Sequence, residues 1–262
     1  MNKLLKRSLF SALILAGVFV YLPAQAAPAV DLKGENVVLV HGAFADGSSW
    51  AKVIPLLQAR GLNVVAVQNP TTSLADDVTA TKRVVEKLTG PVVLVGHSWG
   101  GQVITQAGND NKVDALVYVS AFAVDNGQSI NDLLKGLPPP VWASALQKDS
   151  GSALTLTTQG IVDDFAQDLS PTQQHVIAAT QTPWPAAAID DKVTTAAWHT
   201  KPSWFVISDK DRMIDPKLQA AMAHTIGATV SHANTSHLPM FKDPQAVADA
   251  IIAAATKVRQ AQ

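Results

Sequence analysis

Beyond Asp31 the chain alternates short continuous apolar runs with stretches whose apolar residues return every three or four positions. "VVLV" at 37–40, "NVVAV" at 63–67, "PVVLV" at 91–95 and "ALVYVSAF" at 115–122 are rich in β-branched residues. Hydrophobicity that runs on without alternating marks strands buried on both faces, as in a parallel sheet. Between the runs, Trp50, Val53, Ile54 and Leu57 recur at helical spacing up to Gly61, a C-terminal stop. Ser73 with Asp76 three residues on resembles a capping box, ahead of a stripe of Leu74, Val78, Val85 and Leu88. A further helix is expected from Gly100 to about Ala107.

The rhythm stops near Asp125. The next stretch holds "PPP" at 138–140, "TPWP" at 182–185 and short amphipathic pieces, with no buried-strand signature. It resumes at "SWFVIS" (203–208), followed by a helix over 216–226, the strand "ATVSHA" (228–233) and a closing helix. Asp243 caps that helix, Pro244 fits its first turn, and Val247, Ile251 and Ala254 make its buried stripe. Strands alternating with helices imply right-handed crossovers. The pattern therefore predicts an α/β fold: a mostly parallel sheet of about six strands flanked by helices, with a cap inserted over about 125–201. A structureless loop of that length is uncommon inside a compact domain. No internal repeat is visible.

The N-terminus stands apart. Lys3, Lys6 and Arg7 precede an uncharged apolar run from Ser8 through Leu22, and Ala24-Gln25-Ala26 fits a small-x-small cleavage site. This layout predicts a secretory signal peptide over 1–26 and a mature domain over 27–262, exported to the periplasm or secreted. The competing reading is an uncleaved membrane anchor, since the run is nearly long enough to span a bilayer. The break at Pro23, with the Ala-x-Ala site directly after it, favours cleavage. Loss of Lys3, Lys6 and Arg7 takes the net charge from -1 to -4, leaving no basic surplus for nucleic acid or anionic lipid. With no cysteine, the exported chain has no disulfide and must rely on its core. Nothing in the sequence sets the oligomeric state.

The chemistry lies at the ends of the runs. Gly96-His97-Ser98-Trp99-Gly100 is a G-x-S-x-G between a predicted buried strand and a predicted helix, the context a nucleophile elbow requires. A serine hydroxyl is a weak nucleophile at neutral pH, so it needs a base and an acid to orient that base. On this fold the chain order should be serine, acid, histidine. His237 follows the last strand, whereas His232 falls within it and His224 on a helix. "ISDKDRMIDP" follows the preceding strand and offers Asp209, Asp211 and Asp215. Asp211 sits at the loop tip and is preferred. Asp215 precedes Pro216 and reads as a helix cap; Asp209, which leaves the strand early, and Asp125, on another strand, stay open as acids. The oxyanion hole should combine the main-chain N–H of Trp99 with one from "HGAFADGSSW" (41–50), where Ala43 is favoured over Phe44. His41 is expected to brace that loop, and His97 to pack.

"VVLVHGAF…W", "VVLVGHSWGG", "SDKDRMIDP" and "SHLPM", in this order, resemble the α/β-hydrolase superfamily. Within it they are most similar to small esterases related to plant hydroxynitrile lyases and salicylate-type methylesterases. The resemblance covers essentially the whole mature chain and is loose across the cap. It implies Ser98 as nucleophile, Asp211 as acid and His237 as base. The hydroxynitrile lyases carry a lysine directly after the catalytic histidine; Leu238 stands there, which argues against cyanohydrin cleavage.

The expected activity is hydrolysis of a small-molecule carboxylic ester, aryl or short-acyl, through an acyl-enzyme. Trp142, Phe165, Trp184 and Trp198 are candidates for an apolar pocket. Alternatives are a cofactor-free perhydrolase or haloperoxidase-type enzyme on the same triad, and a non-catalytic ligand binder on the same fold. No His/Asp/Glu cluster has metal-ligand spacing and no phosphate-cradling loop is present, so neither metal nor cofactor is expected.

Overall fold

The computed structural model describes residues 30–261; the expected leader over 1–26 lies outside them. The apolar runs form β1 (Asn36–Val40), β2 (Asn63–Ala66), β3 (Val92–His97) and β4 (Val113–Val119). Between them lie α1 (Ile54–Gln58), α2 (Leu74–Lys87) and α3 (Trp99–Ala107). The cap holds α4 (Ile130–Leu134), β5 (Leu146–Lys148), β6 (Ala153–Leu156), α5 (Thr158–Gly160), α6 (Pro171–Ala179) and β7 (Trp184–Pro185). The chain closes with β8 (Ser203–Ser208), α7 (Pro216–Thr225), β9 (Thr229–Ala233), α8 (Pro239–Lys242) and α9 (Pro244–Gln260).

The main sheet has six strands in the order β2-β1-β3-β4-β8-β9, and every pairing is parallel. β1 and β3 are buried at every position, as continuous hydrophobicity required. In α9, Asp243 caps the first turn by accepting from the Ala246 N–H, and Pro244 needs no partner there. Its stripe of Val247, Ile251, Ala254 and Val258 packs on β3, β4 and β8. Burying side chains the size of Val247 or Ile251 contributes roughly 1.5–3 kcal/mol each. No helix among the described residues is long and apolar enough to cross a membrane.

Four local features differ from the pattern, each for a physical reason. The stripe from Trp50 to Leu57 is not one helix: Trp50 closes a 3-10 turn, and the α-helix begins only at Ile54. Pro55 enforces this, because its ring excludes the helical carbonyl four residues earlier. At α2 half of the capping box forms: Ser73 accepts from the Asp76 N–H, but the Asp76 carboxylate takes the Thr72 and Ser73 hydroxyls instead of the Ser73 N–H. β4 begins at Val113 and ends at Val119, because Ser120 takes φ 45 and leaves the strand conformation. Ala121 and Phe122 are buried although they no longer pair as strand. The cap carries a three-stranded antiparallel sheet, β5-β6-β7, where no strand was expected. These strands are very short and partly exposed, and Asp149 ties the β5–β6 turn by accepting from the Gly151 and Ala153 N–H groups.

Candidate active site

The site lies beyond the carboxyl ends of β1, β3, β8 and β9, where an open parallel sheet presents its loops. β3 ends at His97 and α3 starts at Trp99, so Ser98 alone makes the turn, at φ 53 and ψ −120. A non-glycine residue there carries strain of about 1–3 kcal/mol. Two glycines let the turn fit. A Cβ on Gly100 would stand 2.6 Å from the Val40 carbonyl oxygen, so the start of α3 can rest on the end of β1. A Cβ on Gly42 would stand 2.7 Å from the Ser98 Cβ. Gly42→Ala must therefore displace the elbow or the β1 loop. The expected result is a fall in kcat of about a hundred-fold, the scale of a lost oxyanion donor, with a lower melting temperature. Wild-type kinetics in this variant would show that the close approach has no role.

Main-chain N–H groups of Trp99, in the first turn of α3, and of Ala43 and Phe44, in the loop after β1, have no acceptor among the described residues. His41, buried, donates from Nδ1 to the Gly42 carbonyl at 2.9 Å and braces the loop; burial pushes its pKa down.

The structure brings Asp211 and His237 together. His237 Nδ1 and Asp211 Oδ2 are 2.7 Å apart, and both side chains are essentially excluded from solvent. The carboxylate is held on every side. Oδ1 accepts from the Met213 N–H at 2.7 Å and the Ile214 N–H at 3.0 Å, and Oδ2 also accepts from Gln219 Nε2 at 2.8 Å. Because Asp211 accepts, Nδ1 of His237 carries the proton and Nε2 keeps its lone pair. Neither Nε2 nor Ser98 Oγ is hydrogen-bonded among the described residues; such bonds are often long before substrate arrives.

His97 does more than pack. Its Nε2 donates to the His237 carbonyl at 2.9 Å, and the two rings lie 4.7 Å apart, tilted at 51°. Burial, and then the neighbouring His237, hold His97 well below the usual histidine pKa, so it stays a neutral brace.

The other acids lie apart from His237. Asp209 meets exposed His232 at 2.7 Å, Asp125 meets exposed His199 at 2.7 Å, and Asp215 caps α7 by accepting from the Lys217 N–H. A cavity opens over Ser98, with Ala43 and Trp99 beside it and Trp142, Phe165 and Trp184 of the cap around it. Trp198 is not among its walls: the ring lies 3.7 Å from that of His199, tilted at 32°, and Nε1 donates to the Val124 carbonyl.

Sequence reasoning missed Gln219 and Asp77. Gln219 left no signal, but Asp77 did: in "SLADDV" it falls three residues after Leu74, on the stripe that α2 buries.

Residues 37–250 match the pattern of the alpha/beta hydrolase family. Methylesterase 2 of Arabidopsis thaliana is 26% identical over 252 residues, covering 84% of this chain and 96% of its own. Among solved structures, a pyrethroid hydrolase from Sphingobium faniae JZ-2 superposes with a TM-score of 0.72 at 20% identity, covering 84% of this chain and 97% of its own. Polyneuridine aldehyde esterase gives a TM-score of 0.71 at 19% identity, with 84% and 99% covered. At such identities the structural likeness speaks for the fold.

Proposed function

Given that the chain belongs to the alpha/beta hydrolase family and is an esterase of it, we propose that it works through an acyl-enzyme on Ser98. Ser98 Oγ attacks the ester carbonyl and passes its proton to His237 Nε2. Asp211 fixes the imidazole tautomer and stabilises the imidazolium. The N–H groups of Ala43 and Trp99 receive the oxyanion. The alcohol leaves with the proton from His237, and water, activated by the same nitrogen, releases the acid and restores Ser98. The observation that carries this reading is the buried 2.7 Å Asp211–His237 pair, which leaves the histidine one free basic nitrogen.

The cavity supports a neutral, largely apolar substrate. Apart from the Ser98 hydroxyl and tryptophan N–H groups, its lining side chains are hydrocarbon, aromatic or thioether. A charged substrate group would lose its hydration there with no partner in return. The aromatic and aliphatic lining favours aryl or short-acyl esters.

A fluorophosphonate probe, with the labelled peptide read by mass spectrometry, and a p-nitrophenyl ester series test both parts. The expected outcome is labelling on Ser98 that disappears in His237→Ala, and turnover of acetyl and butyryl esters at least about a hundred-fold above that of a succinyl half-ester. Labelling that survives His237→Ala would remove His237 as base; equal turnover of the anionic ester would remove the apolar-substrate assignment.

A further inference from the structure

We propose that Asp77 is a positioning residue of this site: its carboxylate tethers the Trp99 indole, and through it the elbow and the pocket wall, to the loop on which the cap rests. The proposal rests on the Ser98 acyl-enzyme reading.

Asp77 lies one turn into α2, on the face where Leu74, Val78, Thr81 and Val85 are buried, and its own exposure is 0%. A carboxylate there must give up its hydration, so it needs strong partners. Among the described residues no cation pairs with it. Its partners are three neutral donors, two from the loop between β2 and α2 and one from α3. The Thr71 N–H donates to Oδ1 at 2.7 Å, and Asn69 Nδ2 and Trp99 Nε1 donate to Oδ2 at 2.9 and 2.8 Å. The one charge interaction that acts on it comes from His41, itself held towards its neutral form by burial.

Burial, only partly offset by these donors, raises the Asp77 pKa. A carboxyl whose folded pKa lies above its unfolded value is favoured protonated in the folded state. Its contribution to stability is full below the unfolded pKa and is lost as pH rises through the folded one. The ionised form is thus a stability cost, and its position at the elbow supplies a reason for the residue's presence.

Each donor leads to a different part of the site. Trp99 follows Ser98, offers the free oxyanion N–H, and packs its ring on Trp184 of the cap at 5.3 Å. Thr71 is held at φ 57, and its hydroxyl proton is shared between the Pro70 carbonyl at 2.7 Å and the Pro183 carbonyl at 3.0 Å, the latter directly before Trp184. Asn69 adds a long 3.5 Å contact to the His41 carbonyl, two residues before Ala43. One carboxylate thus holds Trp99 from below while its loop partner Thr71 holds the residue beside Trp184. Asparagine cannot replace it: its amide would turn a donor towards either the Thr71 N–H or the Trp99 and Asn69 pair.

The test is a double-mutant cycle of Asp77→Asn and Trp99→Phe, read by steady-state kinetics on p-nitrophenyl acetate and on a bulkier aryl ester, with thermal melts. Trp99→Phe keeps the main-chain N–H and removes only the indole donor. Each folded single variant is expected to lose about ten- to a hundred-fold in kcat, with KM rising more for the bulkier ester. The double variant should be no slower than Asp77→Asn alone, because the two changes break one bond. Kinetics within about two-fold of wild type in folded Trp99→Phe would overturn the tether even if Asp77→Asn failed to fold. Strictly multiplicative losses in the double variant would overturn it as well. If wild type neither turns over any ester nor labels at Ser98, the acyl-enzyme reading itself fails and takes the tether's role with it. Normal wild-type turnover with unaffected variants removes the tether alone.

Discussion

Replacing Ser98 by glycine is expected to abolish ester turnover and to raise the melting temperature at the same time. Loss of the nucleophile should lower kcat by about a million-fold, the scale found when a serine hydrolase loses its serine. The gain in stability comes from the backbone. Ser98 is held at φ 53 and ψ −120, where a side chain is strained by about 1–3 kcal/mol and glycine is not. The extra freedom of glycine in the unfolded chain takes back roughly 0.5–1 kcal/mol. A net gain near 1 kcal/mol corresponds to a rise of about 2–4 °C for a domain of this size. Ser98→Ala keeps a Cβ in the same strained position, so it should be equally inactive without that gain. Matched melts of the two variants decide the point: alanine melting as high as glycine would mean that the elbow stores no strain.

Much of this arrangement is legible in the sequence because it depends on local rules. Short apolar runs mark most of the six strands, and strand-to-loop positions put forward Ser98, Asp211 and His237 as candidates, of which the structure pairs Asp211 with His237. What stays illegible depends on distant partners. Asp209 and Asp211 sit two residues apart in one loop, and only the fold sends the first to His232 at the surface and the second to His237 inside. His97 gains its task from a carbonyl 140 residues away, and Asp77 from an indole 22 residues away. The end of β4 was obscured because Ala121 and Phe122 are buried beyond the strand, so the apolar run outlasts the pairing. Trp198 shows the opposite error: an aromatic residue in the cap need not face the cavity, and its indole serves the Val124 carbonyl instead.

The other large effect is expected at Asp211, where the hydrogen-bond geometry says how asparagine would fail. The carboxylate meets four donors: two main-chain N–H groups on Oδ1, and Gln219 Nε2 and His237 Nδ1 on Oδ2. An amide nitrogen in place of Oδ1 would face the Met213 and Ile214 N–H groups, which cannot turn away. In place of Oδ2 it would face Gln219, whose Nε2 also donates to the Ile214 carbonyl while its Oε1 accepts from the Ser208 N–H, so a flip would break both bonds. The second placement costs less, since it sacrifices only the Gln219 contact, and it also turns the amide nitrogen towards His237, where Nδ1 must then accept. That moves the imidazole proton to Nε2, the nitrogen required to take the Ser98 proton. Asp211→Asn should therefore stay folded yet lose about ten-thousand-fold in kcat, the scale of the same change in trypsin-type triads. Asp209→Asn and Asp125→Asn disturb only half-exposed pairs with His232 and His199, and kcat should stay within about two-fold of wild type. The ester assay across these three variants separates the candidates, and a large loss at Asp209 or Asp125 with Asp211→Asn near normal would transfer the acid's role to that residue.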